Sequence, residues 1–187
     1  MDEFSYLSVL IAVILGLAIT QVLQGLRGLA HSREHVAIYW PTLVWAGIIL
    51  LIAVQSWWAS FGMRHLTGWN FLGFSVVLLE NACIYMVAAL VLPDFAEERH
   101  VDLRQSYFKQ VPWFYGMFMA ALVFSMLKDV VLSGSLPTGL NLVFHLLFLA
   151  GSVAMILIRN ETFHKVYTVI TAGMVLIYVA ALFGYLH

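Results

Sequence analysis

The chain has one cysteine, four prolines and few charged residues, and two of these scarcities exclude whole classes of protein. The single cysteine, Cys83, excludes a disulfide within the chain, a CxxC motif and a thiolate zinc cluster. With 9 Lys and Arg against 10 Asp and Glu, there is no basic excess of the kind that binds nucleic acid. Charged residues make up only 10% of the chain, whereas an average soluble domain has about 25%.

Apolar residues dominate the composition instead. It is 63% hydrophobic over 187 residues and its mean hydropathy is +0.93, whereas soluble domains are about 45–50% apolar. Several apolar segments are long enough to cross a hydrocarbon core of roughly 30 Å as helices. Six such segments lie near residues 4–26, 38–61, 69–92, 108–132, 140–158 and 166–186. Backbone groups in lipid must be satisfied within their own segment, so residues 1–187 are predicted to form one all-α, six-helix membrane bundle with short loops.

Features at the segment edges agree with this interpretation. Pro41 and Pro112 are expected near helix starts, where the missing N–H has no intrahelical partner anyway. The first segment lacks a positive n-region, so we expect a membrane span there rather than a cleavable signal peptide. The longest connection, residues 93–111, carries mixed charge and scattered aromatic side chains. It predicts either a short helix at the membrane interface or a solvated linker.

Basic residues are distributed unequally between the two sides. The connections after the first, third and fifth segments carry seven of them, namely Arg27, Arg33, Arg99, Arg104, Lys109, Arg159 and Lys165. The opposite side carries only Arg64 and, at a segment end, Lys128. By the positive-inside rule the seven-residue side faces the cytoplasm. We therefore expect a multi-pass protein of a bacterial-type inner membrane, with both termini on the outer side.

Glu80 and Asn81 lie at the centre of the third apolar segment. A carboxylate at that depth is costly unless it is protonated, paired or wetted. Glu80 is therefore either an ion- or proton-handling group or a hydrogen-bonded carboxyl that fixes helix packing. The polar side chains that could meet it are Gln55, Gln21, Gln24 and Lys128. The glutamines are also suited to purely structural hydrogen bonds between helices.

Lys128, Asp129 and His145 form a second candidate group near the predicted outer side. Adjacent helical positions point about 100° apart, so Lys128 and Asp129 do not simply face each other. Lys128 is expected to extend its ammonium group to the membrane interface. The alternative is a charged outer vestibule formed by Lys128, Asp129 and His145.

The usual enzyme motifs are absent from the sequence: there is no phosphate loop, nucleophile elbow, HExxH motif or dinucleotide fingerprint. His145 is the one histidine well inside a predicted span, and a bis-histidine haem needs a second ligand at similar depth. His31 and His35 have metal-binding spacing on a helix but lack a third ligand. We therefore predict no cofactor and no metal, while a membrane enzyme or redox protein using His145 with a quinone, haem or lipid stays open.

The leading hypothesis is a small membrane channel or transporter in which Glu80, Asn81 and Gln55 line or gate a polar path near the bilayer midplane. The alternative is a non-catalytic accessory or structural subunit of a larger membrane complex. In either case the surroundings are a lipid bilayer. Because six short-looped helices enclose little volume, a homo-oligomer or a larger membrane complex is a further expectation.

Overall fold

The computed structural model of the chain describes residues 3–66, 68–95 and 100–185, and most of them are helical. Its long helices are α1 Glu3–His31, α2 Trp40–Ser60, α3 Phe71–Leu90, α4 Leu103–Ser133, α5 Gly139–Leu157 and α6 Glu161–Tyr185. The shorter elements are two 3-10 helices, Arg33–His35 and Phe61–His65, and two parallel strands, β1 Val36–Ala37 and β2 Val101–Asp102. All six long helices are long and apolar enough to cross a membrane, which confirms the predicted all-α membrane bundle.

Local side-chain chemistry determines several helix ends. Asn70 caps α3, because its side-chain oxygen accepts a hydrogen bond from the Gly73 amide at 2.8 Å. Asp102 caps α4 in the same way by accepting from two amides of the first turn, at 2.8 and 3.2 Å. At the other end of α4, Gly134 has a φ of +69°, a left-handed conformation that glycine adopts at little cost.

The fourth helix begins earlier than the sequence predicts. Residues 93–111 form neither a separate interfacial helix nor a solvated linker over their described part, because α4 already begins at Leu103. Asp102 supplies the cap, and Leu103 is fully buried in a small cluster with Tyr39. Pro112 consequently lies inside α4 rather than near its start. The proline removes one intrahelical hydrogen bond, yet the helix continues for five more turns or so.

The helices form a closed ring in the order α1, α3, α4, α5, α6 and α2, and α2 also contacts α3 and α4 across the ring. The amide of Trp69 donates to Glu3, so α1 and α3 start at the same end, which we call the terminal end. Strands β1 and β2 join the α1–α2 and α3–α4 connections at the opposite end. Arg104 and Glu161 pair there, at the starts of α4 and α6. We call this second end the basic end.

An aromatic cluster fills the interior of the half of the bundle nearer the basic end. It consists of Trp45 on α2 with Phe114, Tyr115 and Phe118 on α4. Trp45 is 1% exposed, and the three other rings meet it edge-on with centroids 5.1, 5.4 and 5.9 Å away. Edge-to-face packing of this kind is favourable for aromatic rings. The aromatic cluster therefore packs α2 firmly against α4.

Candidate functional site

Glu80 on α3 pairs with Lys128 on α4. The Lys128 ammonium donates to both carboxylate oxygens, at 2.9 Å to Oε1 and 2.8 Å to Oε2. The side chains are only 12% exposed for Glu80 and 22% exposed for Lys128. Glu80 is the tenth residue of the 20-residue α3, so the pair lies near the middle of that span. The costly mid-span carboxylate thus has an opposite charge as its partner.

The opposite directions of the two helices explain why Lys128 reaches inward. Side chains on a helix lean toward the N-terminus of that helix. Because α3 starts at the terminal end, Glu80 leans toward that end. Because α4 starts at the basic end, Lys128 leans away from the nearby terminal end and into the bundle. The expectation that Lys128 extends its ammonium group to the interface is therefore wrong.

The pair lines a cavity of about 250 Å³, which we call the polar cavity. Six of the candidate residues named in the sequence analysis line it: Gln55, Glu80, Asn81, Lys128, Asp129 and His145. The predicted mid-span polar site and the predicted vestibule are thus parts of one cavity. Ser60 and Met63 also line it, and Met63 lies in the α2–α3 connection. The polar cavity therefore extends to the terminal end of the bundle.

Gln21 and Gln24 lie in a different place. Both line a cleft of about 600 Å³ that also borders the last residues of α1 and the segment after α3, toward the basic end. Gln21 donates a hydrogen bond to the Tyr85 hydroxyl at 3.3 Å, which joins α1 to α3. This is the structural kind of interhelical contact. Both are candidate partners of Glu80 in the sequence, but neither glutamine lines the polar cavity.

Two acceptor groups lining the polar cavity have unused capacity. His145 donates from Nδ1 to the Asn141 carbonyl at 2.8 Å, which leaves Nε2 of the neutral ring as an acceptor. Asp129 contributes the second acceptor, a half-buried carboxylate. The Asn81 amide nitrogen donates to the Val77 carbonyl at 2.7 Å. The Asn81 oxygen has no hydrogen-bond partner among the described residues and is sealed from the cavity by its neighbours.

The structure adds polar lining residues that the sequence did not mark: Ser56, Ser125, Asn141 and Tyr178. The Tyr178 hydroxyl donates to Oδ1 of Asn141 at 3.1 Å and so links α6 to α5. Ser125 precedes Lys128 by three positions and shares its helix face, which is a signal that the sequence carries. Asn141 likewise precedes His145 by four positions on α5, whereas Tyr178 carries no such signal, because only the packing of α5 on α6 brings it to the cavity.

A second cavity of about 100 Å³, the apolar cavity, adjoins the polar cavity. Both cavities are lined by Gln55, Ser56, Glu80, Ser125, His145 and Tyr178. The rest of the apolar cavity is lined by hydrophobic side chains, among them Ile84, Phe118 and Phe148. Phe118 also belongs to the aromatic cluster, so the apolar cavity lies between the polar cavity and that cluster.

A separate buried polar group, His164, occupies the basic half, although its place in the sequence looked peripheral. It is 0% exposed. Its Nε2 lies 2.9 Å from the Ile158 carbonyl and its Nδ1 lies 3.0 Å from the Tyr107 hydroxyl. A carbonyl only accepts, so Nε2 carries the proton and Tyr107 donates to Nδ1. The Tyr115 hydroxyl, 3.2 Å from that of Tyr107, extends this chain to the aromatic cluster.

At the basic end, charged side chains form ion pairs on the surface. Glu161 accepts from Arg104 and from Lys165, in both cases at 2.7 Å. Exposed pairs of this kind contribute little to stability, in contrast to the sheltered Glu80–Lys128 pair. Burial, with a smaller effect of the Glu161 charge, raises the pKa of Tyr39, which precedes α2, to about 12.

No family model, curated protein or solved structure matches this chain. Within residues 3–66, 68–95 and 100–185, no three His, Cys, Asp or Glu side chains cluster in a way that could hold a metal ion. Function therefore has to be inferred from the Glu80–Lys128 pair, the two cavities beside it and the aromatic cluster that adjoins them.

Proposed function

We propose that the protein is a small membrane transporter in which the Glu80 carboxyl exchanges protons in the polar cavity. The observation that carries this proposal is the position of the Glu80–Lys128 pair, near mid-span and beside a cavity of about 250 Å³. Ionisable side chains at such depth are costly and are typical of ion and proton pathways. A purely structural ion pair has no need of a cavity that extends to one end of the bundle.

The aromatic cluster favours a transporter over a permanently open channel. An open channel needs a continuous wet path, whereas a transporter exposes its site to one side at a time. In this structure the polar cavity extends to the terminal end, while Trp45, at 1% exposure, and its neighbours pack the basic half. Transport across the membrane would then require a second conformation in which α2 and α4 separate at the cluster.

We further propose that the basic end faces the cytoplasm of a bacterial-type inner membrane. The seven Lys and Arg residues counted in the connections after the first, third and fifth apolar segments of the sequence support this orientation through the positive-inside rule. The polar cavity would then open on the outer side of the membrane, and both termini would lie on that side.

Cysteines placed at the two ends are expected to react from opposite sides. In a Cys83→Ser background, Ser135→Cys places a thiol in the α4–α5 connection and Asn160→Cys places one in the α5–α6 connection, both at exposed positions. In right-side-out vesicles a membrane-impermeant maleimide should label position 135 directly and position 160 only after permeabilisation. Labelling of position 160 in intact vesicles, with position 135 protected, would contradict the proposed orientation.

Proton flux in reconstituted vesicles tests the transport proposal. Under an imposed membrane potential, wild-type protein should admit protons faster than protein-free vesicles, as followed with an entrapped pH-sensitive dye. The Glu80→Gln variant keeps the shape of the side chain but cannot release a proton, so its flux should fall to the protein-free level.

The matched control is Glu161→Gln, which removes an exposed carboxylate from the basic end and should leave the proton flux unchanged. Equal flux through wild-type and Glu80→Gln protein would contradict the proposal. Wild-type vesicles no more permeable than empty ones would contradict it as well, and would favour an accessory subunit.

A further inference from the structure

We infer that the polar and apolar cavities together bind an organic cation, namely a protonated amine with a short apolar tail. This inference rests on the proposed function, because it assigns a substrate class to the same site. Three features of the cavities support it: their formal charge, their unused hydrogen-bonding groups and the apolar space that adjoins them.

The formal charge of the polar cavity is negative. Its described lining includes one ammonium group, that of Lys128, and this group is already bound to both oxygens of Glu80. Asp129 adds a second carboxylate, and His145 adds no charge in its neutral form. A ligand with one positive charge would balance the cavity, whereas an anion would meet the Asp129 carboxylate in a sheltered site.

The lining has unused acceptors, among them Nε2 of His145 and the carboxylate of Asp129. Two of its donors are occupied, because Lys128 donates to Glu80 and the Tyr178 hydroxyl donates to Asn141. A primary ammonium group brings three N–H donors and no acceptor. It can therefore donate to the acceptors of His145 and Asp129.

The apolar cavity explains why the ligand should be organic rather than a metal ion. The hydrophobic part of this cavity, lined among others by Ile84, Phe118 and Phe148, offers nothing to a hydrated metal ion, but it accommodates a hydrocarbon tail. The volume of the cavity is about 100 Å³. An apolar cavity of about 150 Å³ holds a benzene molecule, so by proportion this one holds about four carbon atoms. Butylammonium has a head and a tail of these sizes.

Binding of radiolabelled butylammonium to the purified protein in nanodiscs tests this inference, with empty nanodiscs as the blank. We expect saturable binding to the wild-type protein. Butanoate and 1-butanol, which have tails of similar length but no positive charge, should bind at least about tenfold more weakly, since butanoate has no donor and is repelled by Asp129, and 1-butanol has a single uncharged donor. Butanoate that binds as tightly as butylammonium would overturn the inference.

One variant locates the site. Asp129→Asn removes one charge with almost no change of shape and should weaken butylammonium binding by about tenfold. Glu161→Gln is the matched control and should bind like the wild type. Circular dichroism checks that each variant is folded. Unchanged affinity in the folded Asp129→Asn variant would overturn the inference.

The binding assay involves no membrane gradient, so its result does not depend on whether the protein conducts protons. Butylammonium binding together with an absence of proton flux would support the cation site and overturn the transport proposal. Proton flux that depends on Glu80, together with an absence of saturable butylammonium binding, would support transport and overturn the cation site.

Discussion

Replacing Lys128 with methionine should destabilise the protein by about 3 kcal/mol or more. The substitution keeps an unbranched side chain of similar length but leaves the Glu80 carboxylate, 12% exposed, without its counter-charge. Glu80 must then either stay charged in a sheltered site or take up a proton and lose both hydrogen bonds to Lys128, and both outcomes raise the free energy of the folded state. Reversible unfolding in mixed micelles with increasing SDS, followed by circular dichroism, measures the loss.

Lys165→Met is the matched control for this prediction. Lys165 also pairs with a glutamate at short distance, 2.7 Å from Glu161, but its side chain is 39% exposed and water can replace the lost partner. The control variant should unfold at nearly the same SDS fraction as the wild type. If Lys128→Met and Lys165→Met unfold at the same SDS fraction, the Glu80–Lys128 pair is not sheltered in the way described.

Trp45→Ala should have two large effects, one on stability and one on proton leak. Truncating this 1%-exposed ring removes its contacts with Phe114, Tyr115 and Phe118 and leaves a cavity, at a cost of about 3 kcal/mol. The cavity would also open the packing between the apolar cavity and the basic end. Proteoliposomes with Trp45→Ala protein should therefore leak protons faster than wild-type proteoliposomes, in the same dye assay.

Trp57→Ala provides the control on the same helix. Trp57 is 52% exposed, so the same chemical truncation removes few interior contacts. We expect its unfolding and its proton leak to stay close to the wild type. Equal stability and equal leak for the Trp45 and Trp57 variants would show that the aromatic cluster does not close the basic half.

The sequence predicted the bundle and the central acid for the same physical reason. Lipid tolerates few polar groups, so six apolar runs stand out, and Glu80 stands out within its run. The start of α4 was harder to predict, because the charged residues around Arg104 lower the hydropathy of its first turns. The Asp102 cap that starts the helix is a local signal, and hydropathy does not register it.

The partner of Glu80 could not be chosen from depth alone. Gln21 and Gln55 have plausible depths, but Gln21 faces the cleft at the basic end while Gln55 lines the polar cavity. Lys128 lies five residues from the end of α4, where extension to the interface is the usual behaviour of lysine. What decides its direction is the lean of side chains on two antiparallel helices, and that depends on which helices are neighbours.

The burial of His164 also depends on which helices are neighbours. Its position four residues into α6 suggested a peripheral histidine, and its burial depends on Tyr107 from a helix that begins about 60 residues earlier in the chain. Sequence periodicity reports the face of one helix, whereas the partners on that face come from the order of helices around the ring. The ring order α1, α3, α4, α5, α6, α2 is not encoded in any short motif of this chain.

A double-mutant cycle at Glu80 and Lys128 measures the central claim, which is that two charges at mid-span stabilise each other. Glu80→Met and Lys128→Met alone should each lower the free energy of unfolding by about 3 kcal/mol, since each leaves one sheltered charge unpaired. The variant with both substitutions leaves neither charge behind and should unfold close to the wild type. A double variant whose loss equals the sum of the two single losses would show that the two side chains do not interact, and would contradict the proposed site.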